Sequence, residues 1–118
     1  MADFHEAPEV LSSEIKDFVR AHNSLKEEIE AIDWYQQRMG ATGDDSLKVI
    51  LEHNRDEEIE HACMALEWLR RRIPAWDEAL RLYLFTDKDI TEIEEESESG
   101  EGSPKKAGGD LKIGSLKS

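Results

Sequence analysis

Two stretches of this chain repeat inward-type residues at alternating steps of four and three. That spacing turns one stripe of an α-helix toward a neighbouring helix. In the first stretch Leu11, Ile15, Phe18, His22, Leu25, Ile29 and Ile32 fall on the pattern. In the second it runs through Leu47, Leu51, Asn54, Glu58, His61, Ala65, Trp68 and Arg72. No part of the body shows the period-two alternation of a strand. The chain is therefore expected to be all-α and built on two long antiparallel helices.

Pro8 followed by Glu9 predicts the start of the first helix, with acids at its positive end, and the helix runs to about Met39. Gly40 to Asp45 reads as a turn, with two glycines supplying positive φ and an acid capping the next helix. The second helix is predicted from Asp45 or Ser46 to Arg72, closed by Arg70, Arg71 and Arg72 and ended by Pro74. A shorter third helix is expected over Ala75 to Phe85, with Trp76, Leu80, Tyr83 and Leu84 facing inward, and Asp89 to Glu96 adds a helical turn. Each main helix would be roughly 40 Å long at 1.5 Å per residue. A short third helix cannot cover a groove of that length. Two hairpins are thus expected to pair about a twofold axis into a four-helix bundle.

At 118 residues the chain is at most one small domain, and 38% apolar against 36% charged residues suits helices with a heavily solvated surface. The longest apolar run is too short to span a membrane, and Met1 to Glu6 has neither the basic start nor the apolar core of a signal peptide. The single cysteine, Cys63, can form no internal disulfide, which fits a reducing, cytosolic setting. Net charge is −13, and outside residues 94–118 the balance is 22 acids to 11 bases. Such a body repels nucleic acid and anionic membranes and attracts cations, although solubility alone also accounts for the sign.

Glu58 and His61 are the unexpected members of the second stripe. Three residues apart, they project from one helix face, at positions where a packed seam would take leucine. A carboxylate in such a seam is destabilising by several kcal/mol (about 3–5 for a broken buried pair) unless a partner or a cation satisfies it. Glu28 leans the same way, directed within about 40° of Ile32 and about 20° of Tyr35 at 100° per residue. One Glu from the first helix and Glu-x-x-His from the second make half of the ligand set that a carboxylate-bridged di-iron site needs in a four-helix bundle. Doubled by a twofold axis, four carboxylates and two neutral imidazoles balance two divalent ions. Hard oxygens with one imidazole per metal suit iron or manganese, and zinc would also bind.

The other candidates read as ordinary surface or packing. Glu27 and Glu30 point away from the seam, His22 reads as an interface histidine, His53 faces outward and His5 is terminal. Tyr35 can be core packing, Trp34, Trp68 and Trp76 are packing or interface anchors, and Cys63 points away from His61. No Ser/His/Asp arrangement, phosphate loop or basic patch is present.

Three segments follow from composition: a helical domain over 1–96, a tether over 97–109 without any large apolar residue, and a terminal segment over 110–118. Apolar residues return there as Leu111, Ile113 and Leu116, three anchors for docking to a partner.

Glu27-Glu28-Ile29-Glu30-Ala31-Ile32-Asp33-Trp34-Tyr35, followed by His53-Asn54-Arg55-Asp56-Glu57-Glu58 and Glu67-Trp68-Leu69-Arg70-Arg71, resembles encapsulated ferritin. The ending Leu111-Lys112-Ile113-Gly114-Ser115-Leu116-Lys117 is similar to the peptide that targets such cargo to encapsulin shells, with Ser118 where the family often has glycine. The resemblance implies a ferritin-like four-helix bundle formed by dimerisation, and a ferroxidase that oxidises Fe(II) with O2 at a centre shared between subunits. It implies two iron ions per dimer interface, held by Glu28, Glu58 and His61 of both chains, with Glu58 bridging and Tyr35 close to the reacting centre. Glu27 and Glu30 would form an outer acidic metal-entry region. It further implies a ring-shaped homo-oligomer, a decamer, housed in an encapsulin nanocompartment of a bacterial or archaeal cytoplasm and delivering ferric iron there for storage. The shell contact would run through Leu111, Ile113 and Leu116. Two other readings stay open: a non-catalytic helical cargo or scaffold with structural metal, and another di-iron protein such as a rubrerythrin-like peroxidase. The latter normally carries a full ligand set, and its rubredoxin-type partner domain needs several cysteines.

Overall fold

Ser12 sets where the first long helix begins. Its hydroxyl accepts a hydrogen bond from the Ile15 N–H (3.1 Å), and its extended backbone (φ −69°, ψ 162°) caps α1, Ser13–Ala41. In this computed structural model, which describes residues 4–99, the start falls four residues beyond the Glu9 predicted from sequence. Pro8–Val10 form a separate single turn of 3-10 helix, and Leu11 is extended after it. The serine competes for backbone donors and interrupts a run that apolar spacing alone would have continued.

At the other end of α1 the connection is made by side chains rather than by left-handed glycine. Thr42 accepts from the Asp44 N–H (3.1 Å), and Asp44 accepts from the Leu47 N–H (2.8 Å) and the Ser46 hydroxyl (2.7 Å). Asp44 thereby caps α2, Asp45–Arg72, and its carboxyl is held below the usual range by the Ser46 and Leu47 bonds. Neither Gly40 nor Gly43 adopts a positive φ, contrary to the expectation for this turn. Gly40 lies inside the last turn of α1.

Three contacts of rising and falling number fix the antiparallel register of α1 and α2. Arg55 donates to Gln36 (2.8 Å) near the turn, His61 approaches Glu28 midway, and Trp68 meets Phe18 edge-on at 6.2 Å farther out. The row of α1 that turns inward is Phe18, Ala21, Leu25, Glu28, Ile32, Tyr35 and Met39, all half-buried or buried. This corrects the sequence-predicted stripe by a partial rotation. Ile15, His22 and Ile29 (54% exposed) lie on a solvated flank, and Glu28 belongs to the inner row itself.

The described residues divide into two compact units, the first ending at Leu69 and the second beginning at Arg70. In the second, Ile73 is extended before Pro74, as a residue preceding proline prefers, and Pro74 opens α3, Pro74–Tyr83. Trp76, Leu80 and Tyr83 are half-buried as expected, whereas Leu84 is exposed because the helix has already ended. Phe85 has a positive φ of 62°. Asp77 binds both Arg70 and Arg81; partial burial pushes its carboxyl up, but the two guanidinium groups outweigh this and hold it below its usual range. Asp89 caps α4, Ile90–Ser99, through the Thr91 and Glu92 N–H groups (2.9 and 3.3 Å). The helix buries Ile93 and packs against α3. It continues three residues into the stretch read as tether, and the segment with Leu111, Ile113 and Leu116 lies outside the described residues.

Only Met39, Leu51, Leu69 and Ile93 are buried apolar residues among those described. Ile15, Ile29 and Trp34 on α1, and Leu47, Val49, Ile50, Ile59 and Met64 on α2, remain largely exposed. All described regular elements are helices, and none is long and apolar enough to cross a membrane.

Candidate metal centre

Midway along the hairpin, Glu28 of α1 faces Glu58 and His61 of α2. One ligand atom from each lies within 4.8 Å of the other two. The i,i+3 spacing puts Glu58 and His61 on one face of α2, and the inner row of α1 brings Glu28 opposite them. His61 Nδ1 is 3.6 Å from Oε1 of Glu28 and 3.6 Å from Oε1 of Glu58. That is too long for a hydrogen bond. It suits an intervening ion: bonds of about 2.1 Å meeting at about 90–120° hold the two donor atoms about 3.0–3.6 Å apart. A hard divalent cation with oxygen and imidazole ligands fits this donor set.

The acids also constrain one another. A hydrogen bond to the Glu58 carboxyl, partial burial and the Glu58 charge together push the Glu28 carboxyl above its usual range, and the neighbouring His61 only partly offsets this. The two acids therefore resist carrying full charge side by side, and a cation between them would relieve that.

Glu28 and Glu58 retain 27% and 25% of side-chain exposure, and His61 retains 46%. The sequence placed Glu58 and His61 in a packed seam; in the single chain they line a groove open on one side. The reason is geometric, since two helices bury only the strip along which they touch. Leu47, counted in the same seam, is likewise exposed.

Tyr35 sits two turns beyond Glu28 on the same inner row, with the Arg38 guanidinium 5.3 Å over its ring. It is half-buried, and it is not a member of the cluster. Glu27 and Glu30 are exposed on the outer side of α1 and are not brought to the three ligands; Glu30 lines a shallow depression with Lys26, Ile29 and Asp33. His22, His53 and Cys63 are exposed, while Trp68 is half-buried against Phe18.

Sequence reasoning missed two features here. Arg55 ties the helices through Gln36 one turn from Glu58, a pairing that only the observed register reveals. Glu57 lies beside His61, with Oε1 4.0 Å from Nε2, and its i,i+4 spacing to His61 was a readable signal.

An all-helical hairpin that carries an inward Glu on one arm and Glu-x-x-His on the other belongs to the ferritin-like class of helical proteins. The chain is 62% identical over 117 residues to a ferritin-like protein of Thermotoga maritima, covering 98% of this chain and 100% of the relative. It is 52% identical over 121 residues to an encapsulated ferritin-like protein of Rhodospirillum rubrum, covering 96% and 86% respectively. The crystal structure of a Nitrosomonas europaea protein superposes with a TM-score of 0.73 at 54% identity, over 75% of this chain and 98% of that one. The pattern of the EncFtn-like family matches residues 3–87. The chain belongs to that family, the encapsulated-ferritin-like proteins that its residue runs resemble.

Proposed function

We propose that this protein is a ferroxidase, oxidising Fe(II) to Fe(III) with dioxygen at a centre shared by two copies of the hairpin. The observation that carries the reading is the convergence of Glu28, Glu58 and His61 Nδ1 on one point of an open groove. A second copy closing the groove would double the donors and cover apolar residues that one chain leaves exposed.

Ferrous iron is the substrate, and each ion gives one electron to dioxygen. Four carboxylates from two copies balance the charge of two ferrous ions and favour the ferric state. Glu58 is assigned the bridging position, and Glu28 and His61 the terminal ones. A cation needs the Glu28 carboxyl ionised, and the neighbouring Glu58 carboxyl makes that ionisation harder, so binding weakens in acid. Tyr35, on the same inner row, flanks the centre, and Glu27 with Glu30 presents an acidic approach for cations. Ring assembly, to a decamer, would follow from repeated pairing of such dimers. Loading into an encapsulin nanocompartment through Leu111, Ile113 and Leu116 is supported by the name of the Rhodospirillum rubrum relative and by the sequence of that segment. Storage of ferric iron inside the shell, within the cytoplasm, completes the proposal.

Replacing Glu58 by alanine tests it. Removing a bridging donor should cut ferrous oxidation, followed by the absorbance of ferric product, by at least about 100-fold. Oxidation at the rate of the unaltered protein would refute the assignment and favour a scaffold with structural metal.

A further inference from the structure

His61 can serve a cation through Nδ1 only if its ring stays turned that way and Nδ1 carries no proton. Both conditions depend on what faces the opposite nitrogen. In this structure that group is Glu57, one turn earlier on α2 and exposed on its outer flank. Its Oε1 lies 4.0 Å from His61 Nε2, while its Oε2 lies 3.8 Å from Nε2 of His53, a further turn back. The three side chains form a ladder at i, i+4 and i+8 with the carboxylate in the middle. His61 in turn stands between two different carboxylate environments, Glu28 and Glu58 on the Nδ1 side and Glu57 on the Nε2 side.

We infer that Glu57 is a positioning residue for the metal centre: its carboxylate accepts the Nε2–H of His61 and so keeps the Nδ1 lone pair aimed between Glu28 and Glu58. The inference rests on His61 being a ligand, as the preceding reading holds. A 4.0 Å separation is closed by a small rotamer change or bridged by one water. Glu57 itself contacts no reacting atom; it acts through the ring. His53 Nε2 lies 3.8 Å from the second oxygen of Glu57, on the far side of that carboxylate. A carboxylate hydrogen-bonded to a ligating imidazole fixes its tautomer and raises its basicity, and losing such a partner weakens metal binding about 10–100-fold.

The test uses the full-length, metal-free protein with Co(II) as probe, in the unaltered chain and in Glu57→Ala, Glu57→Gln and His61→Ala. Two quantities are read. One is the Co(II) dissociation constant from its visible absorbance; the other is the His61 tautomer, from the nitrogen shifts of labelled histidine assigned by the loss of one signal in His61→Ala. Glu57→Ala should weaken Co(II) binding about 10–100-fold and move His61 from the Nε2–H tautomer toward a mixture. Glu57→Gln, whose amide oxygen still accepts from Nε2–H, should recover most of both effects. All variants should keep the helical content of the parent, since the position is exposed. If Glu57→Ala leaves affinity and tautomer unchanged while His61→Ala abolishes Co(II) binding, the positioning role is overturned and the metal centre stands. If His61→Ala also leaves binding unchanged, the assignment of His61 fails, and the role of Glu57 with it.

Discussion

Replacing Glu28 by glutamine separates what the acidic cluster does for binding from what it costs the fold. The carboxylate oxygens of Glu28 and Glu58 lie within 4.8 Å of each other. At that distance two unit charges repel by about 0.9 kcal/mol at the dielectric of water and about 3.5 kcal/mol at an effective value of 20. With roughly a quarter of each side chain exposed, a repulsion of about 1–2 kcal/mol is expected. Glutamine keeps the shape and a donor for Glu58, so Glu28→Gln should raise the Tm of the metal-free chain by about 5–10 °C at neutral pH. Added divalent metal is expected to stabilise the parent, and the same change should abolish that effect. The folded pKa of Glu28 is raised above its unfolded value, so its proton stabilises the fold below the unfolded pKa, and that stability is lost as pH rises through the folded pKa. The parent should therefore catch up with the variant as pH falls through the folded pKa of Glu28. Asp44, Asp77 and Asp89 do not confuse this window. Their carboxyls are held below the usual range, so their contribution disappears only in stronger acid, below about pH 4. Thermal unfolding by far-UV circular dichroism, in chelator and at several pH values, reads all of this. A metal-free variant less stable than the parent at neutral pH, or a Tm difference that does not shrink with acid, would refute the reasoning.

Leu69 is fully buried (0% exposed), so Leu69→Ala should destabilise the chain by about 2–5 kcal/mol, seen as a lower midpoint in urea. Removing residues 111–118 should leave ferrous oxidation intact and abolish co-purification with an encapsulin shell; shell loading by the shortened chain would exclude the docking role of Leu111, Ile113 and Leu116.

The helices were legible because periodicity is a strong signal over 28 or 29 residues, and the ends of α2 were marked by charge and proline. The start of α1 was not, because Ser12 acts through a single hydrogen bond that apolar spacing does not register. Glu28, Glu58 and His61 could be paired in advance since each lies on an inward row and the turn length limits the register. The degree of their exposure could not. Burial depends on how many elements surround a face, and a stripe pattern looks the same whether one helix or three will cover it. The α1 row was misjudged for a related reason: Ile15, His22 and Ile29 satisfy the same spacing as the true row, one step around the helix. The partners of Arg55 and Asp77 were equally hidden, since long side chains reach across several residues and choose among nearby acids and amides.

The link between α1 and α2 carries a consequence for the unfolded chain. Gly40 and Gly43 hold ordinary backbone angles, and a methyl group added at either would meet nothing within 4 Å. Their extra freedom is thus exercised only when the protein is denatured, where it adds configurational entropy that the native hairpin must overcome. Alanine at Gly43 would remove that slack for a gain of about 0.4–1 kcal/mol, leaving the Thr42 and Asp44 caps to shape the bend unaided.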